Sequence, residues 1–133
     1  MRRRALVLAA AAALAGCGTP SADLFVVERS GDVPDADLKL LVTDGTTVEC
    51  DGVTKDMTSE QLFDAREIAE DLVPLLKRDL TLNPGAQPVM SFTVTGEDGT
   101  VRFSDASRPL PRVFTNLMVL VRDISKRSCG RAR

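Results

Sequence analysis

Two periods of apolar residues alternate along this chain, one close to two residues and one close to 3.6. Leu24, Phe25, Val26 and Val27 lie in an apolar run that predicts a strand over Asp23–Ser30. Gly31-Asp32-Val33-Pro34-Asp35 then breaks it. Leu38–Thr43 alternates in part, and Asp44-Gly45 separates it from Thr46–Cys50. Asp-Gly between two strand-like runs predicts a hairpin closed by a type I′ turn, whose two central residues need positive φ. Val89–Thr95 and Thr100–Ser104 alternate again across the turn Gly96-Glu97-Asp98-Gly99, which predicts a second hairpin with a longer loop than the first.

The helical period appears twice. Leu62, Ala65, Ile68, Ala69, Leu72, Val73, Leu75 and Leu76 form one stripe. Thr58 and Gln61 stand at the spacing of a capping box, with Met57 and Leu62 at the two staple positions. Pro74 interrupts the stripe and predicts a kink or a break, because it has no N–H for the Glu70 carbonyl. The helix should end near Asp79 and leave through Asn83-Pro84-Gly85. After Pro109 and Pro111 a second stripe runs through Leu110, Val113, Phe114, Leu117, Met118, Val121 and Ile124, widened by Val119 and Leu120. Arg122, Lys126 and Arg127 suit the negative end of its dipole, and Gly130 is placed to stop it. The order is βββ-α-ββ-α. Two amphipathic helices need a sheet face to cover, which predicts an α+β domain with an antiparallel sheet of 4–5 strands and both helices on one face.

The first residues do not belong to this pattern. Arg2, Arg3 and Arg4 precede an apolar run, Ala5–Leu14, and small residues then lead to Cys17. That is the layout of a secretory signal, and the run is short of the ~20 residues a spanning helix needs. Leu14-Ala15-Gly16-Cys17 resembles the lipobox of bacterial lipoproteins. The resemblance implies a signal peptide over 1–16, a diacylglyceryl group on Cys17, and a location on the extracytoplasmic face of the cell membrane. Residues 17–22 would then be a lipidated tether and 23–133 a single domain. Only three cysteines exist. In an exported, oxidised protein Cys50 and Cys129 are expected to form a disulfide, which leaves Cys17 for the lipid.

Charge adds to the picture. Residues 17–105 hold 18 acids against 7 bases, whereas 106–133 hold one acid, Asp123, against seven bases. The acidic body can hold its own basic tail, and the tail is also suited to an anionic lipid surface. Nucleic acid is not an expected partner, given the acidic mature chain and the absence of Trp and Tyr. Glu60, Asp64, Glu67 and Asp71 form a carboxylate stripe on the first helix. A calcium ion takes six to eight oxygens, more than one helix face supplies, so a solvated face or pairing with the tail is expected and no metal is.

The chain contains no histidine. The commonest general base, the commonest zinc ligand and the Ser–His and Cys–His dyads are therefore missing. No glycine-rich phosphate loop is present either. No cofactor and no catalytic residue are expected. The domain reads as a non-catalytic binding module with a protein partner in the cell envelope. Its candidate surface is the loop from Arg29, Ser30, Gly31 and Asp32 to Asp37, or the Glu97–Gly99 turn. Arg29-Ser30-Gly31 after the first strand, Leu38–Gly45, Ser91–Thr95, Asp98–Asp105, and Pro111 before a terminal helix also resemble the emfourin family. Those small bacterial proteins inhibit thermolysin-like metalloproteases, so the resemblance implies protease inhibition as an alternative. This chain adds a lipid signal and a cysteine pair, and lacks a second glycine after Ser30-Gly31.

Overall fold

A computed structural model describes residues 22–133. Residues 1–21, on which the expected signal segment, Cys17 and most of the expected tether fall, lie outside the described residues. Eight elements follow in order: β1 (Asp23–Gly31), β2 (Leu38–Thr43), β3 (Thr47–Cys50), β4 (Val53–Asp56), α1 (Ser59–Leu76), β5 (Met90–Gly96), β6 (Gly99–Ser104) and α2 (Arg112–Arg127). The six strands form one antiparallel sheet in the order β4-β3-β2-β1-β5-β6. The class is α+β, as the periodicities predict, but the order is ββββ-α-ββ-α. The expected four to five strands become six.

The extra strand has a physical reason for escaping notice. All four residues of β4 are exposed, so Val53-Thr54-Lys55-Asp56 carries no burial pattern. Asp51 and Gly52 take φ of 49° and 85°, the left-handed pair that a two-residue hairpin requires. Asp44-Gly45 does join β2 to β3. That connection, however, is three residues long, between Thr43 and Thr47, and not the expected two-residue type I′ turn; the second hairpin reverses its expectation too, since Gly96 pairs with Gly99 and leaves only Glu97 and Asp98 in the loop.

One face of the sheet is buried. Phe25, Val27 and Arg29 of β1 alternate inward with Leu38, Leu40 and Val42 of β2. Val48, Cys50, Phe92, Val94, Val101 and Phe103 complete the same layer. Against it lie Ala65, Ile68, Leu72 and Leu76 of α1 and Phe114, Leu117, Val121 and Ile124 of α2. The rings of Phe92, Phe103 and Phe114 stack in sequence, with centroids 5.0 Å and 4.2 Å apart. The other sheet face shows Glu28, Ser30, Lys39, Thr95 and Arg102 to solvent. Such one-sided burial is what antiparallel sheets allow.

The capping box forms. Thr58 Oγ1 accepts from Gln61 N at 3.1 Å, and Gln61 Oε1 accepts from Thr58 N at 2.9 Å. Gln61 is buried, and its Nε2 donates to Asp123 Oδ2 at 2.8 Å. The start of α1 is thereby tied to the end of α2. Pro74 lies inside α1, but the helix runs only two residues past it, to Leu76. Asp79 sits beyond the helix at φ 46° and accepts from Thr100 N at 3.0 Å.

Cys50 and Cys129 form the expected disulfide, with Cα atoms 5.8 Å apart. It joins the end of β3 to the residue just past the Ser128 cap of α2. Among the described residues, no helix is long and apolar enough to cross a membrane.

Candidate functional site

Arg29 occupies the last inward position of β1, where the core layer meets the loop after the strand. A charged residue there costs desolvation unless its donors are satisfied. It is only 4% exposed. Its Nε donates to Ala36 O at 2.8 Å, and its Nη2 donates to Asp35 O at 2.8 Å. Nη2 also reaches the main-chain oxygen of Arg133 at 3.0 Å and Ser125 Oγ, on α2, at 3.3 Å. Ser125 is itself fully buried and donates to the same Arg133 oxygen. One guanidinium therefore holds the loop after β1, the inner face of α2 and the chain's last residues together.

The tail has further ties. Arg131 N donates to Ser125 O at 2.9 Å, and Ala132 N donates to Asp35 Oδ2 at 3.1 Å. The Arg131 guanidinium pairs with Asp51. The acidic body thus holds the basic tail through Asp35 and Asp51. The helix stripe takes no part: Glu60, Asp64, Glu67 and Asp71 are exposed, and none is ion-paired among the described residues. Burial pushes the Arg29 guanidinium below its ordinary range, and the nearby Arg131 adds to this. Asp35 opposes the shift and Arg133 reinforces it. The positive charge here is concentrated more than it is compensated.

Beside this clamp lies a cavity of about 430 Å³, within the range of small-molecule sites. Its floor comes from β5 pairing: Gly31 lies opposite Met90 and Arg29 opposite Phe92. Met118 and Arg122, one turn apart on α2, form a second wall. Asp105 and the tail residues Ala132 and Arg133 close the rest. Asp105 Oδ1 accepts from Val89 N at 3.0 Å, which fixes the carboxylate against β5.

The four residues expected to form one binding surface are divided by the strand's alternation. Arg29 points into the core, whereas Ser30 lies exposed on the open face. Gly31 packs under the neighbouring chain: a Cβ there would stand 2.4 Å from Val89 O. Asp32 is exposed in the loop. Of the four, only Arg29 lines the cavity. Met90, Phe92, Asp105, Met118, Arg122, Ala132 and Arg133 were not singled out as a site from the sequence. The one local signal was Met118 and Arg122 at a four-residue spacing, which read as a core position beside a helix-end charge. Among the described residues, no three His, Cys, Asp or Glu side chains gather as a metal-binding group. No family model matches the chain, and no curated protein or solved structure matches it.

Proposed function

We propose that this protein is a bacterial lipoprotein. Its acylated Cys17 holds the domain on the extracytoplasmic face of the cell membrane, where it acts as a non-catalytic binding module for a partner in the envelope. The observation that supports the reading is the Cys50–Cys129 disulfide. A cross-link of this kind belongs to oxidising compartments. It also occupies both other cysteines, which leaves Cys17 as the one thiol for a lipid. A diacylglyceryl group supplies the two acyl chains that stable anchoring takes.

Cell fractionation with mass spectrometry tests the address. Wild-type protein is expected in the membrane fraction with a lipid mass on a mature N-terminal Cys17, and Cys17→Ala is expected to leave that fraction. An unmodified Cys17 on an uncleaved chain would refute lipidation. Crosslinking in intact cells tests the binding role, and a specific envelope protein captured in repeat experiments is the expected result. Micromolar inhibition of a thermolysin-like protease would replace this role with the emfourin-like one.

A further inference from the structure

We infer that the cavity between β5, α2 and the C-terminal segment is a binding site for a small organic monocarboxylate with an apolar body. The inference goes beyond the binding-module reading and adds a small-molecule site to the domain. Three arginines, Arg29, Arg122 and Arg133, line the cavity against one acidic side chain, Asp105. This surplus stands on a chain whose net charge is −2. Among the described residues, neither Arg122 nor Arg133 has an ion-pair partner. Arg29 is buried, and the partners of its hydrogen bonds are main-chain oxygens and a hydroxyl. An anion entering here meets the exposed side chains of Arg122 and Arg133, which no described acid pairs, beside a low-dielectric wall that strengthens the attraction.

The rest of the lining sets the ligand's shape. Met90, Phe92 and Met118 present apolar surface, and two flexible methionines adapt to varied bodies. A planar guanidinium matches a carboxylate through paired hydrogen bonds. Asp105, held in place by Val89 N, opposes a second negative charge on the ligand. The combination favours a monoanion with an aliphatic or aromatic body over a phosphate dianion or a neutral molecule.

Calorimetry on the full chain in detergent at low salt tests this with three probes that share a phenyl ring. Phenylacetate carries the carboxylate, 2-phenylethanol is neutral and phenyl phosphate is the dianion. Phenylacetate is expected to bind at least about tenfold more tightly than either of the others, with an affinity that falls as salt is added. Arg122 is exposed, so Arg122→Met should fold normally and weaken phenylacetate about tenfold or more. Met118→Glu, which adds a negative charge to the same wall, should do likewise, with a lowered unfolding midpoint because Met118 packs against the core. No saturable binding of phenylacetate up to about 10 mM would overturn the inference, since any useful site binds below that level. Equal or tighter binding of phenyl phosphate, or undiminished binding by Arg122→Met, would overturn it too. The binding-module reading survives all three failures, because it stands on crosslinking in cells and not on this cavity.

Discussion

Breaking the Cys50–Cys129 bridge perturbs the fold at one defined point. The bridge joins residues 79 apart in sequence. That loop contains β4, α1, β5, β6 and α2, so most of the domain is threaded between the two sulfurs. The chain-entropy model assigns a closed loop of this length about 4.5 kcal/mol, through its restriction of the unfolded chain. A domain of this size is stable by about 5–15 kcal/mol in total, so the bridge is a large share. The two sites differ in what else they lose. Cys50 is 6% exposed within the core, whereas Cys129 is half-buried at its rim. A serine at position 50 therefore also buries a hydroxyl, at a further cost of about 1 kcal/mol or more, which Cys129→Ser largely avoids. Urea unfolding of the oxidised protein, the reduced protein and both variants separates these effects. Reduction alone should remove up to the full entropic figure and raise the urea slope, because the open chain exposes more surface. Cys129→Ser should match the reduced protein, and Cys50→Ser should fall slightly below it. A loss under about 1 kcal/mol on reduction would refute the cross-link as a source of stability. A gap of several kcal/mol between the two variants would refute their partnership.

Arg29→Met should cost about 2–4 kcal/mol in urea unfolding, because the main-chain oxygens of Asp35, Ala36 and Arg133 lose a charged donor while the methionine recovers some packing. The same variant should speed amide exchange at Arg131 and Ala132, which depend on the clamp; unchanged exchange there would place the tail's anchor elsewhere. Gly31→Ala should destabilise by about 1–3 kcal/mol, since its Cβ would meet Val89 O at 2.4 Å and push β1 from β5; a neutral result would show that this end of the sheet yields freely. Thr58→Ala should cost about 1 kcal/mol through loss of the N-cap, read as a lowered urea midpoint, and no change would mean that the box adds nothing to α1.

Periodicity and cap chemistry were enough to place both helices, both hairpins and the strand β1, because these depend on neighbours within a few residues. The disulfide was also legible, since three cysteines leave Cys50 with Cys129 once Cys17 is read as the proposed lipid site. Strand β4 was not legible, because an edge strand with every residue exposed leaves no hydrophobic period to detect. Nor was the role of Arg29. Long charged side chains are seldom buried, so its place in the strand suggested a surface group. Only the fold brings Asp35, Ala36, Ser125 and Arg133 around it, from segments up to 104 residues away. The cavity likewise exists only once β1 and β5 pair and α2 lies across them. Local sequence determines which face of each element is apolar; which elements then meet, and what charge is trapped where they do, is settled by long-range packing.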